Sequence, residues 1–320
     1  MTRRIALAVN PTAGRGRGAQ AGAAVASRLV AGGAEVERIT APDAAALEAR
    51  AREAVAEGAD TLVVVGGDGM VHLGVNVVAG TGCALGIVAA GTGNDIARSL
   101  GLRLHDPDAA ARDIIAAVED GTVREIDGAR CVGVGGAPGA GAAGDRWFAG
   151  VLGAGFDALV NERANGWRWP RGHLRYDLAI LRELRVLRPR DYLLELDGQT
   201  WDVSAVMVVV ANGPSYGGGM RICPDAVLDD GLLDVLVVES LSRTAFLRIY
   251  PRVYRGAHLA DPRVTVRRAR RVRLQAAGIV TYADGERLAP LPITVEAVPG
   301  ALRVLVPPPA SGRRDVGAGG

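Results

Sequence analysis

The chain contains no lysine: all 37 of its Lys+Arg residues are arginine, against 35 Asp+Glu, for a formal net charge of +2 over 320 residues. That absence excludes a Gly-Lys-Ser/Thr phosphate loop, a protein-kinase strand lysine and Schiff-base chemistry, each of which needs the amine. Near-zero net charge excludes a bulk nucleic-acid binder, which carries a clear basic excess. Aromatic residues are scarce at 4%, so cores must be assembled from Val, Leu, Ala and Ile. Cysteine is scarce too. Cys83, Cys131 and Cys223 lie far apart, are odd in number and form no Cys-x-x-Cys; they read as small core or loop residues rather than a disulfide framework or zinc site. Long apolar runs are missing. The longest, Val203–Ala211 with one serine, is well short of the ~20 residues that span a bilayer. The opening MTRRIALAVNP is too brief for a signal peptide. A soluble cytoplasmic protein is expected.

What is present is an apolar fraction of 49%, enough for real cores, and a clear change of texture along the chain. Residues 1–127 alternate strand and helix signals. Strands are expected at Ile5–Val9, Glu35–Ile39, Leu62–Val65 and Ala84–Val88. Helices are expected at Ala19–Val30, Asp43–Glu57 with Asp43 as N-cap, Val71–Val78 and Pro107–Glu119. Strands this apolar between helices imply a parallel sheet covered on both faces. Residues 128–306 instead carry short alternating runs: Arg146–Leu152, Asp191–Leu196, Trp201–Val210, Leu233–Val238, Val264–Val266, Val272–Gln275, Ile279–Tyr282, Ile293–Val298 and Leu302–Val306. These predict a mainly antiparallel β-sandwich. Helical stretches interrupt it near His173–Arg188 and Thr244–Tyr254, and the closing strands are placed to pack back on the first domain. The glycine-rich run within Cys131–Asp145 reads as a flexible loop, and 307–320 as a disordered tail.

Three glycine-rich turns follow the parallel strands. NPTAGRGRG, Asn10 to Gly18, leads into the first helix, where backbone N–H groups and the helix N-terminus favour an anion; Arg15 and Arg17 stand ready to add charge-assisted contacts. It reads equally as an ordinary strand–helix turn. GGDGM, Gly66 to Met70, places one aspartate among three glycines. Asp68 reads as the holder of Mg²⁺ on a nucleotide, since a bare carboxylate repels phosphate, or as a helix N-cap. AAGTGNDIAR, Ala89 to Arg98, offers Thr92 and Asn94 as neutral donors. Three such turns at the carboxyl ends of parallel strands converge on one crevice, where open α/β sheets bind ligands.

NPTAG, GGDG and GTGND, in this order, resemble the bacterial diacylglycerol kinase and sphingosine kinase-like lipid kinase family. GAGFDALV at 153–160, ANGPSYGGGMRICPDAVLDDGLLDV at 211–235 and YADGE at 282–286 resemble that family's C-terminal domain, so the likeness covers roughly residues 3–306. GGDG alone is shared with NAD kinases and phosphofructokinases. The resemblance implies an NAD kinase/diacylglycerol kinase-like α/β domain and a β-rich lipid domain. It implies ATP on Asn10, Pro11, Thr12, Ala13 and Gly14, on Thr40, on Gly66, Gly67, Asp68, Gly69, Met70, Val71 and His72, and on Thr92. It makes Glu286 the general base that takes the lipid hydroxyl's proton, with Asp284 orienting it or helping to hold catalytic Mg²⁺, and Asp68 completing the catalytic set. A second, structural Mg²⁺ would sit on the Asp230 carboxylate and the backbone carbonyls of Val227 and Leu232. From the residues alone, Asp284-Gly285-Glu286 reads as a hairpin turn and Asp229-Asp230-Gly231 as a solvated turn.

The chain departs from the family where GGDGT-x-N-E is usual: Met70, His72 and Leu73 stand there instead. His72 reads either as a donor replacing the asparagine or as a packing residue. The segment Arg163–Arg190 holds eight arginines against Asp177 and Glu183, with Trp167 and Trp169 flanking Arg168 and leucines 174, 178, 181, 184 and 187 on a helical stripe. That pattern suits docking on anionic headgroups, or a helix packed on the sandwich with a solvated basic face. A second run, Arg263 to Arg273, reads as the outer face of a strand. The expected protein is an ATP- and Mg²⁺-dependent lipid kinase acting on diacylglycerol or a related lipid alcohol, peripheral at the inner face of the membrane. Its expected partners are the lipid and a second copy of the chain, with no nucleic acid. The alternatives are a kinase of a sphingoid base, ceramide or NAD, and a non-catalytic nucleotide- or lipid-binding regulator.

Overall fold

The computed structural model describes residues 3–11, 18–135, 144–167, 169 and 173–307. Thr12, Ala13, Gly14, Arg15, Arg17, the segment 136–143, Arg168, Arg171 and the tail from 308 lie outside the described residues, as does the Arg175 side chain.

The first unit is α/β. Strands β1 (Arg4–Val9), β2 (Glu35–Ile39), β3 (Thr61–Gly66) and β4 (Ala84–Ala89) pair in parallel in the order β4-β3-β1-β2. β1, β3 and β4 are buried nearly throughout. Helices cover both faces: α1 (Gly18–Ala31) and α5 (Pro107–Asp120) on one, α2 (Ala44–Ala56) and α3 (Asp68–Val78) on the other. Asp43 caps α2 by accepting from the Ala46 N–H at 2.8 Å, and Asp106 does the same for α5 through Ala109 at 2.9 Å. β2, on the edge, exposes Glu35, Glu37 and Arg38 and buries Ile39.

The second unit is an antiparallel β-sandwich. It is formed by β5 (Val123–Gly135), β6 (Gly144–Phe148), β7 (Val151–Gly155), β8 (Arg190–Leu196), β9 (Gln199–Ala211), β10 (Leu233–Glu239), β11 (Val264–Ala269), β12 (Arg271–Gln275), β13 (Val280–Ala283), β14 (Glu286–Pro290) and β15 (Ile293–Leu305). Its core is the inward set of alternate residues, among them Phe148, Leu152, Tyr192, Leu194, Val208, Val210, Val235, Val272 and Val295. Helices α6 (Phe156–Gly166), α7 (His173–Leu184) and α8 (Arg243–Ile249) pack together outside it around Phe156 and Phe246, whose rings lie 4.6 Å apart. The short α4 (Asp95–Ser99) follows β4.

Two elements join the units. β15 pairs antiparallel with β12 and β5 and reaches β4 in parallel at Val304 opposite Leu85. α3 is buried on every side and packs against both β3 and β6. Its Asn76 side chain donates to the Trp147 carbonyl at 2.8 Å and accepts from the Trp147 N–H at 2.9 Å.

Local patterning misses two features. The run Arg146–Leu152 is not one strand: the chain turns at Ala149-Gly150, because amides there are collected by the carboxylate of distant Asp284. Helix α6 starts in the glycine-rich GAGFD stretch, with Gly155 as a cap that lends no side chain. No helix among the described residues is long and apolar enough to cross a membrane.

Candidate active site

The parallel register brings the turns together. Val9 lies beside Val65, Val65 beside Val88, and Gly66 beside Ala89. Asn10 donates to the Val65 carbonyl at 3.3 Å and Ala90 to that of Gly66 at 2.8 Å, so the chain leaves the sheet at neighbouring points. Pro11 and Thr92 are exposed on this rim, as is Thr40, whose carbonyl accepts from Arg50 at 2.6 Å. Gly67 caps α3 and touches Gly91: a Cβ on either would collide with the other loop.

Asp68 is the link between these loops. Its two carboxylate oxygens accept from the N–H groups of Asn94 at 2.8 Å and Asp95 at 2.7 Å. Burial, followed by the charge of Asp95, raises the Asp68 pKa. Asp95 repeats the device one loop further on, accepting from Gly218 and Gly219 at 2.7 Å each. Burial raises its pKa too, against those amides. A chain of carboxylate-to-amide clamps therefore runs from GGDG through GTGND to YGGGM of the second unit. Asn94 is not a neutral donor on the rim. It is 1% exposed, and its side chain staples its own loop to Gly91.

The hairpin β13–β14 enters from the other side. Asp284 and Gly285 both have positive φ, +50° and +85°, as a tight two-residue hairpin turn requires. Asp284 Oδ1 accepts from the N–H groups of Gly150 and Val151 at 3.0 Å, and Oδ2 from Ala149 at 3.2 Å. His72 Nδ1 stands 3.5 Å from Oδ2. With this carboxylate spoken for, Asp284 is placed to orient the turn. The next residue out is Glu286, exposed, with Oε1 only 2.8 Å from where a Cβ on Gly69 would stand. The absence of a side chain at Gly69 leaves the room in which the Glu286 carboxylate lies over the start of α3.

Met70, Val71 and His72 part from the nucleotide expectation. All three side chains are buried, because α3 is wedged between two sheets. His72 reaches Asp284 and Asn76 and reads as packing and support.

The residues suit a nucleotide whose metal arrives with it. Mg²⁺ binds through one or two carboxylates plus substrate phosphates, and Asp68 beside Asp95 leaves negative charge for a cation to neutralise. No group of three His, Cys, Asp or Glu in metal geometry occurs among the described residues. The structural Mg²⁺ set fits less well. Asp230 gives one oxygen to the Leu232 N–H at 3.0 Å and faces the Arg268 guanidinium at 3.5 Å with the other, while Val227 sits beside it on an exposed turn.

Two buried carboxylates escape sequence reasoning. Asp127 accepts from Gly231 at 2.6 Å and Gly300 at 3.0 Å, tying the 229–231 turn to β15. No local pattern marks it, since Arg124 and Glu125 stand just before it and no apolar run leads to it. Asp157, at the start of α6, is fully enclosed near Tyr192 and Tyr216. Neither of its oxygens has a well-aligned partner. Burial pushes its pKa up to about 7, offset in part by the amides of Ala158 and Asp157 itself. The native state therefore keeps a proton that the unfolded chain, with an Asp pKa of about 3.9, has released. Stability at this site is full below pH ~4 and is lost as pH rises to about 7. Asp157→Asn is expected to flatten that part of the pH dependence and to match or exceed the parent at pH 8, read as urea midpoints at pH 5 and pH 8. Parallel pH slopes in the two proteins would show that the carboxyl holds no extra proton.

The comparisons match this architecture from end to end. Residues 4–131 match the diacylglycerol kinase catalytic domain, and residues 150–306 match the YegS C-terminal NAD kinase beta sandwich-like domain. A diacylglycerol kinase of Mycobacterium tuberculosis is 42% identical over 306 residues, 95% of each chain. A crystal structure of a diacylglycerol kinase from Bacillus anthracis aligns with a TM-score of 0.68 at 22% identity, over 96% of this chain and 97% of that one. Yeast NADH kinase, complexed with NADH, aligns at 0.56 and 9% identity, over 96% and 84%; the two structures speak to fold alone. With both halves matched and a near full-length relative well above 30% identity, the chain belongs to the family of bacterial diacylglycerol kinases and YegS-like lipid kinases, and is a kinase.

Proposed function

We propose that the enzyme transfers the γ-phosphoryl group of ATP to the hydroxyl of diacylglycerol or a closely related lipid alcohol, with Glu286 as the general base. The observation that carries this reading is the place of Glu286: an exposed carboxylate over Gly69, at the rim where the glycine turns converge. Membership of a kinase family carries ATP use with it. Mg·ATP, when bound, supplies the phosphoryl group and the charge neutralisation that phosphoryl transfer depends on.

The chain's own residues do the rest. Asn10, Thr40, Thr92 and the backbone of Gly66 to Gly69 line the nucleotide rim. Asp68, whose oxygens each keep a lone pair beyond the one amide they accept and face no arginine among the described residues, would hold the metal. Glu286 Oε1 accepts the proton of the acceptor hydroxyl as its oxygen bonds to phosphorus and ADP departs. Asp284, held by three amides, fixes the hairpin that carries Glu286. The departures at Met70, His72 and Leu73 fall on core positions, so packing absorbs them, which favours a working enzyme over a silent regulator.

The acceptor is taken from a membrane surface. Trp169 is 80% exposed. Leu178, Leu181 and Val186 are exposed on and just after α7, with Arg182, Arg185 and Arg188 exposed among them. A solvent-facing mixture of this kind suits anionic headgroups.

Labelled ATP with mixed micelles of diacylglycerol, ceramide or sphingosine, and with NAD in solution, tests the reading. Label is expected in the diacylglycerol product. Label in NADP alone, or in no acceptor with ATP still bound, would overturn it. In the same assay, anionic micelles are expected to outperform neutral ones, and Arg182→Glu/Arg185→Glu/Arg188→Glu to remove the advantage. An advantage that survives the triple change removes the basic face from the proposal.

A further inference from the structure

The stretch Asp225–Asp234 carries four carboxylates, Asp225, Asp229, Asp230 and Asp234, in ten residues. Such a turn needs positive charge near it to stay closed. The family resemblance supplies that charge as a Mg²⁺ on Asp230 with the carbonyls of Val227 and Leu232. In this chain an arginine already stands there.

Arg268 lies on β11 directly opposite Asp234 of β10, so the two side chains share a face. Its Nε donates to Asp234 Oδ1 at 3.2 Å, and its Nη2 to the Asp225 carbonyl at 3.0 Å. Its Nη1 stands 3.5 Å from Asp230 Oδ2. Three arms of one planar fork thus engage three residues spread over the whole turn, a geometry available to guanidinium and not to a single-point ammonium. Asp234 is buried, and burial raises its pKa; the Arg268 guanidinium offsets that rise in part, while Asp230 and Asp225 add to it. Of the other two acids, Asp229 is met by Arg124 Nη2 at 3.0 Å, while Arg268 touches Asp225 at its backbone carbonyl. Asp127 holds the turn from beneath through Gly231. The donor set left for a divalent ion is poor. Mg²⁺ demands near-octahedral oxygen at about 2.0–2.1 Å, whereas the one side-chain ligand on offer shares its oxygens with the Leu232 amide and a fixed positive charge.

We propose that Arg268 is the resident cation of the 225–234 turn, so that this turn closes without a structural divalent ion and the metal requirement of the enzyme is confined to the nucleotide. The reading stands apart from the catalytic one, since it concerns the protein free of nucleotide and lipid.

The test uses the full chain without nucleotide or lipid and Mn²⁺ as the probe, with free ion followed by electron paramagnetic resonance. Wild type and Asp230→Asn are expected to give the same Mn²⁺ titration, and wild type to melt at the same temperature in EDTA and in millimolar Mg²⁺. Arg268→Met is expected to melt several degrees lower. A Mn²⁺ ion held by wild type and released in Asp230→Asn would overturn the proposal, as would Arg268→Met melting with wild type. Should Arg268→Met fail to fold, the comparison of wild type with Asp230→Asn decides alone.

Discussion

Glu286→Gln is expected to lower kcat for lipid phosphorylation by roughly 100- to 10,000-fold, the range that a positioned general base supplies. The KM for ATP should stay within about two-fold, since a loss confined to the transition state leaves ground-state binding alone. Glutamine keeps the shape of the side chain over Gly69, where Oε1 of Glu286 makes its close approach, but cannot take a proton. Stability should be unchanged, because Glu286 is exposed and helps to fill no core. The measurements are steady-state kinetics with diacylglycerol in mixed micelles and an ATP-binding isotherm on the same preparation. A variant that keeps more than about a tenth of wild-type kcat would remove Glu286 from the base role.

Asp284→Ala is the second large effect, and it acts on fold and chemistry together. The N–H groups of Ala149, Gly150 and Val151 all donate to this carboxylate. An amide left unsatisfied away from water costs about 1–3 kcal/mol. The three will not add independently, so a loss of roughly 3 kcal/mol is expected, read as a lower urea midpoint. Activity should fall as well, because the hairpin bearing Glu286 loses its anchor. Asp284→Asn should fall between: its carbonyl can still accept from Gly150 and Val151, while its NH₂ would face the Ala149 N–H. The discriminating case is the double variant. In the Glu286→Gln background, Asp284→Ala should cost stability as before but little further activity, as expected if Asp284 works through Glu286. A full additional loss of kcat would give Asp284 an independent part in the chemistry.

The parallel half was legible because its signals are local. Apolar runs such as Leu62–Val65, caps such as Asp43 and glycines just past strand ends announce themselves within a few residues. The resemblance pointed to Glu286, although the Asp-Gly turn before it was what the residues alone suggested, and the structure contains that turn and the exposed carboxylate together. What stayed hidden depends on pairs far apart in sequence. Asp95 meets Gly218 and Gly219 more than 120 residues away, and Asp127 meets Gly300 at a separation of 173. A carboxylate receiving backbone amides leaves no pattern in its partner, since every residue but proline has an N–H. His72 was ambiguous for a related reason: whether α3 is one-sided or buried all round depends on β6 arriving from the second unit. The split of Arg146–Leu152 into two strands is likewise dictated by Asp284, over 130 residues downstream.

The return of β15 to the first unit governs the order in which the molecule is completed. Val304 pairs with Leu85, Gly80 donates to the Ala301 carbonyl at 2.9 Å, and Arg303 holds the Gly82 carbonyl at 2.8 Å. The ribosome delivers these residues more than 200 positions after β4. Until they emerge, β4 has β3 on one side only and lacks the cover of Leu302 and Val304 in the core it shares with α3. The nucleotide half is thus left with an open sheet edge until β15 is made, a state prone to pairing with other chains. Closure across more than 200 residues is also slow to find. The nascent chain reaches its finished first domain only after the second has been made.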